Sequence, residues 1–290
     1  MNRISKSIVR LIILLKISDD DIMSETTNYI KSNDDNEGMI NQLYRSKLTF
    51  AKNPEILDTY LDYSRFLVRN NFIKIADDGS VIIKGRRYDV ALAYNTVDFK
   101  NKIVCEVGAR DGLCGSYLTS IADKVYVSDY FKEWGYGTIH DLGQLDFWSF
   151  IWKQAAPCSE KIVCEYQNVL HLSYSDEMFD VVIATHVINY LNMQSLDGDI
   201  MGMKELVRIC KPGGYIMISL IVGPIHESCQ GTYVYSNETL FERIINPSGC
   251  ELLNQIYDFD LSNKYNDGLF SLDDITSVSD VFLVLKKLIK

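Results

Sequence analysis

"KIVCEVGARDGLCGS", Lys102 to Ser116, is the stretch on which the fold of this chain turns. An apolar run ends on Glu106, and glycines follow at Gly108, Gly112 and Gly115. A short apolar run closed by glycine reads as a strand entering a turn, with a helix opening after it. Gly108 removes the Cβ, so a ligand can lie against the backbone there. The spacing is not the dinucleotide pattern G-x-G-x-x-G, because Arg110 and Leu113 stand where glycine is needed. The phosphate-cradling G-x-x-x-x-G-K-S/T is absent as well, so the ligand need not be a diphosphate.

Outward from this loop, short β-rich runs alternate with helical patterns. The runs are "KIVCEV", "KVYVSD", "KIVCEY", "FDVVIA" and "YIMISLIV". Between the last two, Met203, Leu206, Val207 and Cys210 recur at helical spacing on one face. Strand–helix alternation of this kind predicts a parallel sheet covered on both sides. Two further β runs, "ELLNQIY" and "VFLVLKKL", close the chain, and "KPGG" (Lys211 to Gly214) reads as a turn before the fifth strand. Sheets of this type bind ligands at the carboxyl ends of their strands, near the switch point.

Three polar residues fall at three successive strand ends. Glu106 closes the first strand, Asp129 closes the second, and the third leads into a loop carrying Asn168. An acid at the second position commonly receives ribose hydroxyls, and an amide at the third can meet an adenine edge. Together they describe a site for an adenosine without phosphates.

The pattern resembles the class I S-adenosylmethionine-dependent methyltransferases, in the branch that includes small-molecule methylating enzymes with a type 11 domain. "VCEVGARDG" resembles the first motif of that family, with Arg110 in place of the middle glycine. "VSDYF" resembles the second-strand acid motif, and "QNVLHLSYSDEMFDVVIATHVINYL" the adenine loop and fourth strand. "ELVRICKPGGYIMIS" resembles the helix and turn before strand five. The resemblance implies a Rossmann-like, doubly wound, seven-stranded, mostly parallel α/β sheet with helices on both faces and S-adenosylmethionine as cofactor. It also implies roles at matching positions. Gly108, Ala109 and Gly112 would line the methionine part with Glu106 beneath, and Arg110 would pair the cofactor carboxylate or point outward. Asp129 would hold the ribose, Tyr130 would flank the adenine, and Asn168 and Val169 would meet its edge. Thr185 and His186 would lie beside the reactive sulfonium. His186 and His226, which follow strands four and five, are the candidate general bases. No metal site is expected.

The remaining chain sets the context. We expect residues 1–37 to be a basic segment and acidic linker, 38–95 a mainly helical cap, and 96–290 the methyltransferase domain. In the cap, "NPEILDTYLDYSRFLVRN" predicts a helix and "FIKIADDGSVII" a hairpin turning at Asp78-Gly79. Residues 1–18 carry Arg3, Lys6, Arg10 and Lys16 and no acid, which makes them a candidate for weak peripheral membrane contact. Their apolar run, Leu11 to Leu15, is too short to cross a bilayer. A net charge of −10 argues against a nucleic-acid partner, an RNA methyltransferase included. Seven scattered cysteines without a C-x-x-C pair fit a reducing, cytoplasmic compartment. Leu145, Trp148, Ile151 and Trp152 form a helical stripe, read as core packing before an aromatic substrate wall. His140 and His171 fall on loops. The long connection after Asp129 suggests a small-molecule or glycan-like acceptor. The rival from another class is an inactive cofactor-binding scaffold.

Overall fold

The computed structural model describes residues 97–109, 112–130, 142–229, 232–258 and 279–289, with residues 66, 70, 73–75 and 81–83. The expected cap helix apart from Phe66 and Asn70, the turn at Asp78-Gly79, Arg110, Trp134, His140 and residues 1–37 therefore lie outside the described residues. The expected cap hairpin has its two strands: β1 (Ile73–Ile75) pairs antiparallel with β2 (Val81–Ile83), Ile73 opposite Ile83.

The main sheet follows from the apolar runs. β3 (Ile103–Val107), β4 (Lys124–Asp129), β5 (Ile162–Tyr166), β6 (Phe179–Thr185) and β7 (Cys210–Val222) pair in parallel. β10 (Cys250–Asp258) and β11 (Ser279–Lys287) add antiparallel, giving the order β10-β11-β7-β6-β3-β4-β5. That path has the seven strands expected. The whole sheet has nine, because a hairpin of β8 (Glu227–Cys229) and β9 (Thr232–Tyr235) attaches beside β7. Chain order reverses between β3 and β6, so their carboxyl ends form the switch-point crevice.

Continuous apolar runs are what a two-faced sheet needs. Val104, Val125, Ile183, Ile218 and Leu283 are all fully buried. On one face lie α1 (Cys114–Leu118) and α2 (Leu142–Ala155), on the other α3 (Gly198–Ile209). Of the expected stripe in α2, Trp152 packs fully inward at 0% exposed and its carbonyl accepts from Ser116 Oγ at 2.9 Å, while Leu145, Trp148 and Ile151 are half-buried. α3 buries Met203 and Leu206, whereas Cys210, expected to end its stripe, begins β7 instead. The "KPGG" turn is absorbed into β7 as a register shift. Phe179 pairs with Cys210 and Val181 with Tyr215, and Gly213 takes a φ of +76° to bridge the excess residues. Among the described residues no helix is long and apolar enough to cross a membrane.

Candidate cofactor and acceptor site

The glycine loop is closed by the acid that precedes it. Glu106 is buried, and its Oε2 accepts a 2.6 Å hydrogen bond from Gly115 N at the opening of α1. A carboxylate there satisfies a backbone donor that the short helix cannot pair itself. The fit leaves no room for side chains. A Cβ on Gly115 would fall 2.8 Å from Glu106 Oε2 and overlap Val127, and one on Gly108 would overlap Val187 Cγ2. Gly108 also has φ +68°, a left-handed conformation that glycine adopts freely. Ala109 continues the loop: its N–H donates to Ser128 O at 3.0 Å, and its carbonyl accepts from Gly112 N at 2.6 Å.

β4 brings Asp129 to the neighbouring strand end, in register with Tyr166 of β5. Both Asp129 and Tyr130 are half-buried, and the Tyr130 ring lies 5.5 Å from that of Tyr166, tilted by 43°. Burial, then the neighbouring Tyr130 and Asp129, push the Tyr166 phenol well above its ordinary range. Sequence reading passed over Tyr166, because only the register reveals the pair.

Asn168 uses its amide on its own loop. Oδ1 accepts from Leu170 N at 3.0 Å, and Nδ2 donates to Gln194 Oε1 at 3.5 Å. This Asx-type turn sets the loop's shape. Val169 is buried, as part of the hydrophobic core. Arg208 of α3 then clamps the loop, donating to Leu172 O and Tyr174 O at 2.8 and 2.7 Å. Glu205 completes the clamp by accepting from Arg208 and from Leu172 N.

At the end of β6, Thr185 and His186 are both buried. His186 is one of three non-glycine residues with positive φ among those described, at +51°. Its N–H donates to Ser219 of β7, to the carbonyl at 3.1 Å and to Oγ at 2.9 Å. The strand thus breaks sharply into the 3-10 turn Ile188–Met193. Within that turn Asn189 is fully buried, and neither amide atom has a hydrogen-bond partner among the described residues. His226 lies apart, exposed beyond β7, with its ring 5.2 Å from Tyr233 and 5.8 Å from Tyr235. His171 is exposed on the same loop as Asn168.

Comparisons with known proteins bear on the fold. Residues 138–218 match the family described as a methyltransferase domain. A Bacillus halodurans C-125 protein assigned as a methyltransferase aligns at 13% identity and TM-score 0.51, over 70% of this chain and 100% of that one. A Mesorhizobium loti S-adenosylmethionine-dependent methyltransferase aligns at 11% identity and TM-score 0.47, over 66% and 93%. Burkholderia thailandensis 1,6-didemethyltoxoflavin-N1-methyltransferase, solved with S-adenosylhomocysteine and its acceptor, aligns at 11% and 0.48, over 70% and 78%. No protein of curated function matches this chain. Residues 138–218 are thus similar to a methyltransferase domain, and the α/β fold is similar to that of the Bacillus halodurans protein.

The residues present fit S-adenosylmethionine, the cofactor that the sequence resemblance implies. The crevice offers a side-chain-free backbone at Gly108, a second strand-end acid at Asp129 and an aromatic pair beside it.

Proposed function

We propose that this protein transfers a methyl group from S-adenosylmethionine to a small-molecule or glycan-like acceptor. One observation carries the proposal. Glu106 seals a glycine loop whose pivot, Gly108, lies at φ +68°, and the adjacent strand ends on Asp129. Bound S-adenosylmethionine supplies a methyl group already activated on a positively charged sulfur. The chain is then left with alignment and exclusion of water. Asp129 would accept hydrogen bonds from the ribose hydroxyls, and Tyr130 with Tyr166 would lie beside the adenine. The backbone at Gly108 would hold the methionine portion, with Thr185 and His186 toward the reacting end. For a hydroxyl acceptor, the His186 imidazole takes the proton. An amine acceptor can lose its proton to solvent.

The test is turnover. Incubated with S-adenosylmethionine and fractionated metabolites, the protein should release S-adenosylhomocysteine with at least one fraction, saturably. Uptake of the donor without release in any fraction would make the domain an inactive cofactor-binding scaffold.

A further inference from the structure

The 3-10 turn after β6 has three sides, and two of them are filled. Val187, at its entry, is the residue that a Cβ on Gly108 would overlap, so it faces the glycine loop. Ile188 and Leu191 put their Cδ1 atoms 3.2 and 2.4 Å from where a Cβ on Gly202 of α3 would stand. At three residues per turn, Asn189 projects to the remaining side, and β7 and β9 are the other elements that pack against the turn. That side adjoins the reacting end. Thr185 is in register with Ser219 of β7, and β9 extends the same edge beside Ile221 and Val222.

The polar groups beyond the turn are spent. Tyr233 Oη donates to Leu196 O at 3.0 Å, and Tyr235 Oη to Asp199 Oδ2 at 3.1 Å. Arg243, in a π-helical turn (Phe241–Ile245), grips the fully buried Asp199 through Nε and Nη2 at 2.8 and 2.7 Å. Asn189 differs from all of these. It is 0% exposed, and both its donor and its acceptor are unpaired among the described residues. Thr185 and His186 beside it are only 5% exposed, so this end of the crevice is closed to bulk water. A buried amide without partners keeps its whole desolvation penalty, which an apolar residue of the same shape avoids. Such departures from polar satisfaction collect at functional sites.

We propose that the Asn189 amide orients the acceptor, and that the acceptor meets it with a neutral, planar, amide-like edge. Such an edge sets an N–H beside a carbonyl or ring nitrogen, as in a lactam or an amino-heterocycle. The proposal rests on the methyltransferase reading and narrows its substrate class. A side-chain amide holds its donor and acceptor in one plane, so an edge of that kind takes both hydrogen bonds together, as adenine does from asparagine. A sugar diol staggers its two oxygens by about 60° and meets one of the two groups. An anionic acceptor would be buried without a counter-charge, because Arg243 is neutralised by Asp199 and Asp197. Held through both atoms, the acceptor keeps one orientation toward Thr185. Asn189 thereby contributes alignment and moves no proton.

The experiment compares the full wild-type chain with Asn189→Leu, which keeps the heavy-atom skeleton without its polar atoms, and with Asn189→Ala. Urea unfolding should give Asn189→Leu a higher midpoint than wild type, because a penalty has been removed. S-adenosylhomocysteine affinity should stay within about twofold in both variants. Equilibrium dialysis against the chain saturated with S-adenosylhomocysteine should show saturable binding of 2-pyridone, weakened about fivefold or more in each variant. Wild type should bind 1-methyl-2-pyridone, which lacks the N–H, and cis-1,2-cyclohexanediol less tightly than 2-pyridone. A lowered midpoint in Asn189→Leu would mean that the fold itself uses the amide, through a trapped water, and overturns the proposal. Unchanged 2-pyridone binding in Asn189→Ala, or none in wild type while S-adenosylhomocysteine binds, overturns it as well. Tighter binding of the diol overturns the acceptor class. Failure of S-adenosylhomocysteine itself to bind removes the underlying reading and this role with it.

Discussion

The two halves of the crevice are built by different means. The half proposed to take the cofactor, from β3 to β5, is assembled mainly by backbone: a glycine at positive φ, a carboxylate on an N–H, two acids at adjacent strand ends. The other half, beyond β6 and β7, is assembled by side chains far apart in sequence. Arg243 reaches back to Asp199 across 44 residues, and Tyr233 to Leu196 across 37. Backbone devices tolerate little change, because a Cβ has nowhere to go. Side-chain devices can be rebuilt in many ways, which suits the part of an enzyme that distinguishes substrates.

Substitutions should separate the halves. The largest effect is expected from Arg243→Met, which strands a buried carboxylate at Asp199. Losing one partner of a buried pair costs about 3–5 kcal/mol of stability. Urea unfolding should show it as a lowered midpoint, while the folded fraction keeps its affinity for S-adenosylhomocysteine. Parallel loss of cofactor affinity would mean that the halves are not independent.

Gly108→Ala should act on the half proposed to take the cofactor, lowering stability and, because the loop must shift to take the side chain, binding as well. A left-handed non-glycine residue costs about 1–2 kcal/mol, and the overlap with Val187 adds a comparable overpacking penalty. Calorimetry should find S-adenosylhomocysteine bound roughly 100-fold more weakly, the equivalent of about 3 kcal/mol. Adding Val187→Ala should restore part of the loss, since it removes the overlapping methyls. No rescue would place the cost elsewhere.

Asp129→Ala should weaken the same ligand by about 1–3 kcal/mol, the range for lost hydrogen bonds to a charged group. Unchanged affinity would mean that the ribose sits away from β4.

What could be read from sequence divides along the same line. "KVYVSD" and "KIVCEY" show their strands because parallel strands buried on both faces are short and apolar throughout. Glu106, Gly108 and Asp129 mark the proposed cofactor edge in sequence because each lies in its own strand or turn. Tyr166 was missed, although it lies in a recognised strand, because its partnership with Tyr130 exists only across the β4–β5 register. Tyr233, Arg243 and Asp199 carry no local signal at all. The "KPGG" segment shows the reverse limit: turn residues marked an irregularity correctly, but strand pairing resumed on both sides of it.

The smallest effect concerns acid. Arg208 beside Glu205, with a further N–H from Leu172, holds that carboxyl below its usual range against the cost of burial. At Asp180 burial opposes ionisation, but Ile103 N–H and Lys211 outweigh it and the net direction is again downward. Carboxyls lowered by folding stabilise the protein above their unfolded value, about 4. That contribution falls away as pH drops through the folded values. The urea midpoint should therefore be flat near neutrality and decline below about pH 4, where unfolded carboxyls begin to take up protons first. In Glu205→Gln the decline should be shallower. An identical slope would mean that the clamp on the adenine loop does not couple to folding.

The central claim is that the crevice between β3 and β6 holds an adenosyl group joined to a methionine. Isothermal titration of the full chain with S-adenosylhomocysteine tests it most directly. A single saturable site at micromolar ligand is the predicted result, and a flat thermogram at millimolar ligand would contradict it.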